Sequence, residues 1–170
     1  RNRCLDAYRM CGKGKFEVRD VDLNQIISEM AEILRVSLAR QATLLVDLEP
    51  RVAPVRADPS QMRQIVLNLI TNASDALGDR SGTIVVRTHM RRLDERFIAS
   101  LDDADAMAPG PHVCVEISDT GCGMDAATRR RIFDPFFTTK FTGRGLGLAA
   151  VLGIVRAHHG TLTVDSTTGS

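Results

Sequence analysis

The chain has no tryptophan and a single tyrosine, and aromatic residues fill only 4% of its 170 positions. It has no apolar run long enough to cross a membrane as a helix. No signal peptide is legible, although the parent protein could carry either feature upstream. Neither charge dominates: 22 Lys and Arg stand against 21 Asp and Glu, a net charge of +1. No basic stripe is left over after pairing, which argues against a dedicated nucleic-acid binder. Cysteine is sparse, and Cys4, Cys11, Cys114 and Cys122 fit neither a zinc spacing nor an exported disulfide scaffold. Cys122 reads as an incidental small residue, with a reactive thiol as the alternative. No internal repeat or low-complexity tract stands out. An apolar content of 44% is ample for a globular core, and the length suits one domain plus a flanking piece.

The most informative stretch is Asp119-Thr120-Gly121-Cys122-Gly123-Met124. It follows an alternating run, His112 to Ser118, in which Val113, Val115, Ile117 and Asp119 share one strand face. A carboxylate ending an apolar stripe calls for a donor partner, because an unpaired buried charge is costly. The glycines at alternate positions let a ligand approach the backbone closely.

Upstream, Gln61 to Leu77 reads as an amphipathic helix with Met62, Ile65, Val66, Leu69, Ile70, Ala73, Ala76 and Leu77 at helical spacing. Asp58-Pro59 supplies a cap and a proline at the first helical position. Its other face is a ridge of Gln61, Gln64, Asn68, Asn72 and Asp75. A solvated face usually carries Lys and Glu; amides are poorer helix formers but offer a neutral oxygen to a hard cation.

Downstream, the scarce aromatics gather at Phe133, Phe136, Phe137 and Phe141 around Pro135, an anchored loop. Thr142-Gly143-Arg144-Gly145-Leu146-Gly147-Leu148 then enters an apolar helix. Such a glycine-rich helix start presents free N–H groups to a phosphate, with Lys140 and Arg144 adding positive charge. Taken singly, these segments also read as a tight turn, a polar surface ridge, a satellite hydrophobic cluster and a linker.

Together and in this order they resemble the catalytic, ATP-binding domain of sensor histidine kinases, within the gyrase, Hsp90, histidine kinase and MutL ATPase superfamily. The asparagine box is Asn68 to Ala73, the first glycine box Asp119 to Gly123, the phenylalanine box Phe133 to Phe137, and the second glycine box Gly143 to Leu148. The resemblance runs from about Val21 to the end. The Asn72-Ala73-Ser74-Asp75-Ala76 and Phe137-Thr138-Thr139-Lys140 variants are most similar to nitrogen-regulator-type and PAS-linked, often hybrid, kinases.

The resemblance implies a two-layer α/β sandwich, one mixed sheet with helices on one face, its final strand truncated. Residues 1–14 become the end of a dimerisation helix pair, breaking at Gly12-Lys13-Gly14, and 15–170 the catalytic domain. ATP and Mg²⁺ are the implied cofactors. Asp119 would accept from the adenine amino group, in whose place guanine presents a carbonyl, while Gly121 and Gly123 let the backbone pass the base. Asn72 would ligate Mg²⁺ and Asn68 sit near the phosphates. Lys140, Arg144 and the helix start from Gly145 through Leu146 and Gly147 to Leu148 would hold the phosphates. Asp75, Phe137, Thr139 and Gly143 complete the implied nucleotide contacts. The implied partners are a dimerisation domain of the same protein, in a homodimer, and a response regulator, with no nucleic acid and no membrane contact by this cytoplasmic segment.

Hydrolysing superfamily members carry a glutamate where this chain has Asn68, and an amide is no general base at neutral pH. None of His89, His112, His158 and His159 has the family's acceptor setting, so the phosphoryl acceptor is expected outside this chain. His158-His159 ends the last helix, where a cation suits the dipole. An anti-sigma-factor-type serine/threonine kinase and a non-catalytic nucleotide-binding module are the alternative readings.

Elsewhere the patterns predict a helix over 23–39 capped by Asp22 or Asp20, and strands over 44–48, 52–56, 83–90 and 113–118. They also predict a solvated loop over 93–110, a short helix over 126–132, a helix over 145–158 and a strand over 161–164.

Overall fold

The computed structural model describes residues 17–38, 42–101, 107–139 and 145–169. The 1–14 helix remnant, and Lys140, Phe141, Gly143 and Arg144, lie outside the described residues. The elements are β1 (Arg19–Val21), α1 (Leu23–Ser37), β2 (Ala42–Leu48), β3 (Val55–Ala57), α2 (Pro59–Leu77), β4 (Gly82–Leu93), α3 (Glu95–Ala99), β5 (Gly110–Asp119), α4 (Ala126–Arg129) and α5 (Gly147–Ala157).

β4 is the central strand of a mixed sheet, parallel to β2 and antiparallel to β5. One face is apolar because the strands alternate in register: Leu44 opposes Ile84, Val46 opposes Val86, and Val86 opposes Ile117. Helices α1 and α2 cover that face, and α5 packs on α2. Ile27, Ile70, Ile84 and Val86 are fully buried there; each contributes about 1.5–3 kcal/mol relative to exposure. The other face is wet at its centre, where Arg87 bridges Asp47 at 3.2 Å and Glu116 at 3.6 Å across all three strands. β1 and β3 form a separate antiparallel pair.

Local chemistry fixes the helix starts. Asp22, not Asp20, caps α1, accepting from Asn24 N at 2.8 Å and Gln25 N at 3.4 Å. Asp20 instead faces Arg56 at 3.6 Å on the neighbouring strand. Asp58 caps α2, with Pro59 at the first helical position. Burial pushes the Asp58 carboxyl up, but hydrogen bonds from Ser60, Glu17 and Gln61 outweigh it and hold the group below the ordinary carboxylate range. Gly78 ends α2 with φ of 59°, a left-handed turn that favours glycine.

Three expectations change. The loop over 93–110 contains α3, capped by Asp94, with Phe97 beneath Arg91 at 4.2 Å. The short helix over 126–132 stops after Arg129 and continues as turns. Residues 161–164 form no strand. A strand is held by its ladder, and among the described residues no segment pairs with them. No described helix is long and apolar enough to cross a membrane.

Candidate functional site

The site gathers around the C-terminal half of α2. Asp119 is the last residue of β5 and opposes Ile84 on the helix-facing side of the sheet, as the alternation predicts. It is exposed rather than buried. Its donor partner comes from its own turn: Oδ1 accepts from Gly121 N at 2.8 Å. Among the described residues no donor meets Oδ2, so that oxygen remains available to an N–H from a ligand.

The turn after Asp119 is fixed on three sides. Thr120 N donates to Thr83 O at 3.1 Å, and Thr83 N donates to Thr120 Oγ1 at 3.0 Å, tying it to β4. Cys122 N donates to Ala76 O at 2.9 Å, tying it to α2. Gly121 is buried so closely against α2 that a Cβ there would lie 2.7 Å from the Ala76 carbonyl carbon and 2.7 Å from its Cβ. The third tie is the C-terminal segment: Met124 N donates to Ser166 Oγ at 2.9 Å and Gly169 N to Cys122 O at 3.0 Å. Gly123 has φ of 63°, and a Cβ on it would collide with the Thr167 carbonyl. Cys122 is an exposed thiol.

One turn before Ala76 stands Asn72, half-buried like Asn68, with Asp75 exposed beside it. The start of α5 faces Asn72: a Cβ on Gly147 would lie 3.7 Å from Asn72 Nδ2. That is ordinary contact, so a methyl group fits there. Leu146 is the N-cap residue and gives α5 no side-chain cap. Among the described residues, the first N–H groups of α5 therefore lack the usual side-chain oxygen at a helix end beside an amide. Among the described residues no group of three His, Cys, Asp or Glu could hold a metal ion. A hard cation at Asn72 would take an amide oxygen and complete its shell with ligand and water oxygens.

The aromatic loop closes onto the same helix start. Phe136 N donates to Gly145 O at 2.9 Å. Phe136 and Gly145 both have positive φ, 69° and 65°, and a Cβ on Gly145 would approach the Phe136 and Phe137 carbonyl oxygens to 2.6 Å. Phe137 lies beneath Arg131, 4.4 Å from ring centre to guanidinium carbon. Phe136 and Leu146 are left exposed at 76% and 44%, and Thr138 and Thr139 are exposed beside them.

An acid-ended strand with its glycine turn and the start of α5 thus meet on the amide-bearing helix, and the aromatic loop is tied to that start. The family profile described as histidine kinase-, DNA gyrase B- and HSP90-like ATPase matches residues 57–170. The chain belongs to this family. It is 35% identical over 152 residues to the sensor histidine kinase ZraS of Klebsiella oxytoca, covering 89% of this chain and 29% of that protein. It is 33% identical over 147 residues to the sensory histidine kinase/phosphatase NtrB of Rhizobium meliloti, covering 86% of this chain and 37% of that one. The chain thus spans well under half of these relatives. The mycobacterial sensor histidine kinase MprB superposes with a TM-score of 0.63 at 27% identity, covering 84% of this chain and 80% of that chain.

Of the residues expected at the site, the fold brings Asn72, Gly147, Asp119, Gly121 and Gly123 around one helix. Gly145, Phe137 and Leu146 stand at the neighbouring aromatic loop. Four contributors escaped the sequence reading. Ala76 acts through its carbonyl, which no side-chain pattern advertises. Ser166 and Gly169 act across more than forty residues of chain. His158 is the fourth. Its Nε2 accepts from Asp58 N at 3.1 Å and its Nδ1–H donates to Ile154 O at 2.8 Å. That pattern requires the neutral ring, protonated at Nδ1, so the cationic helix-end role expected for it is replaced by a hydrogen-bonding one.

Proposed function

We propose that this chain is the ATP-handling domain of a sensor histidine kinase. It binds Mg-ATP and transfers the γ-phosphoryl group to a histidine on a dimerisation domain of the same protein, for relay to a response-regulator aspartate. The observation that carries the reading is the facing of Asn72 and the uncapped start of α5, one helical turn from the Ala76 carbonyl that holds the Asp119 turn. One helix then fixes the distance between a base-reading carboxylate and a phosphate-binding helix end.

In this reading Asp119 selects adenine by accepting its amino N–H, and Gly121 and Gly123 admit the base. The α5 N–H groups, with Lys140 and Arg144, neutralise the phosphates, and Gly143 of the second glycine box adds a nucleotide contact. Asn72 supplies the protein oxygen to Mg²⁺, whose chemistry is to neutralise charge developing on the phosphoryl oxygens. Asn68 cannot take a proton from water, so the phosphoryl group awaits a histidine nucleophile. The domain works in the cytoplasm as part of a homodimer.

The test is incubation with labelled ATP, with and without a separate dimerisation fragment of the parent protein. Acid-labile phosphate on the fragment is expected. Acid-stable label on a partner serine would instead indicate an anti-sigma-type kinase. Nucleotide binding with no transfer to any fragment would indicate a signalling module.

A further inference from the structure

We propose that His158 is a positioning residue for the phosphate end of the site, acting through Asp58 to fix α5 along α2. The proposal rests on the nucleotide reading above. Helices α2 and α5 pack against each other and meet at both ends. Near the site, Gly147 at the start of α5 faces Asn72. At the far end, His158 just past α5 accepts from the backbone of Asp58, the N-cap of α2. The two helices therefore run antiparallel.

Between these ends the contact is apolar, with Ile154 buried in the same cluster as Val66 and Ile70 of α2. Apolar burial is non-directional: it sets how close the helices lie, and only weakly how far one slides along the other. A hydrogen bond with defined donor and acceptor supplies the axial constraint. Each of its two halves is held by further hydrogen bonds. The imidazole is oriented by its bond to Ile154 O on its own helix. Asp58 is 4% exposed and its carboxylate accepts from Ser60 N at 2.8 Å, Ser60 Oγ at 2.5 Å, Gln61 N at 3.4 Å and Glu17 N at 3.0 Å. Glu17 precedes β1, so the chain entering the domain is tied to the same point.

The base end of the site has separate supports. The Asp119 turn is held by Ala76, β4 and residues 166–169, none of them in α5. Loss of the His158 bond should thus disturb phosphate contacts and spare the base. A merely structural role would weaken both alike.

The experiment compares His158→Leu and His158→Gln with the wild-type chain, by titration with Mg-ATP and, separately, with adenosine. His158→Leu should weaken Mg-ATP binding about tenfold, the equivalent of one net hydrogen bond, and leave adenosine binding unchanged. His158→Gln, whose Oε1 offers an acceptor, should recover most of the loss. Equal losses for both ligands, no loss for Mg-ATP, or no recovery in His158→Gln would overturn the proposal. If His158→Leu does not melt cooperatively, His158→Asn, polar but shorter, takes its place with the same expectations. If the wild type binds no ATP, the kinase reading falls. The positional claim is then decided by amide exchange, which should quicken in the first turn of α5 and not in β5; equal exchange in the two would overturn it.

Discussion

The carbonyl of Ala76 accepts the amide of Cys122 at 2.9 Å. This bond makes α2 a ruler. Asn72 and Ala76 stand one turn apart, about 6 Å along the axis, so the amide proposed for the metal and the turn proposed for the base are spaced by a single rigid element.

Asp119→Asn should leave the fold intact, because an amide oxygen still accepts from Gly121 N. It should weaken Mg-ATP binding by about 1–3 kcal/mol, since the swap presents a donor toward the adenine amino group. Calorimetry reads this directly; equal affinities for wild type and variant would remove Asp119 from the base-reading role.

Gly121 and Gly147 should answer differently to an added methyl group. Gly121→Ala forces a Cβ to within 2.7 Å of the α2 backbone and should destabilise by about 1–3 kcal/mol. Gly147→Ala meets Asn72 only at ordinary contact distance and should melt like the wild type. Urea titrations of both variants would show the contrast, and similar midpoints would contradict it.

Asn72→Ala should abolish phosphoryl transfer to the dimerisation fragment while leaving adenosine binding in place. Its amide is the proposed metal ligand, and the base end depends on other residues. Wild-type hydrolysis in the absence of an acceptor should be slow, since a positioned base contributes ~10²–10⁴-fold and Asn68 is not one. Rapid acceptor-free turnover would point to hydrolysis as the activity.

Asp58 predicts a pH dependence of stability. Its folded carboxyl titrates below the ordinary aspartate value because hydrogen bonds to the charged form outweigh burial. The folded state therefore takes up this proton less readily than the unfolded one. The stabilisation is complete above the unfolded value, about 3.9, and is lost as pH falls through the lower folded value. Asp58→Asn should flatten this part of the acid limb in urea unfolding measured from pH 6 downward. An unchanged slope would show that other carboxylates dominate it.

Much of this was legible in the sequence because the signals are local. The α2 helix announced itself through Asp58-Pro59 and the run from Met62 to Leu77, and the face shared by Val113, Val115, Ile117 and Asp119 followed from strand alternation. The three-residue β1 and β3 carry too little pattern to be read reliably, and β1 was not foreseen. Asp119 was expected in the interior, but alternation gives a residue's face and not its depth. At the end of β5 that face opens to solvent. The strand over 161–164 had the right composition and lacked a ladder, which depends on a partner elsewhere. The bond between Asp58 and His158 joins residues 100 positions apart, beyond the reach of any spacing rule.

The clamp of residues 166–169 on the Gly123 turn has a meaning for biosynthesis. Met124 and Ser166 are separated by 42 residues. At a translation rate of 5–20 residues per second, the turn is made roughly 2–8 s before its clasp. The elements of the apolar core, apart from α5, are by then already outside or leaving the ribosome. A nascent domain thus acquires most of its interior before its base-binding end is closed, and released chains ending at Asp165 should fold without gaining full affinity for nucleotide.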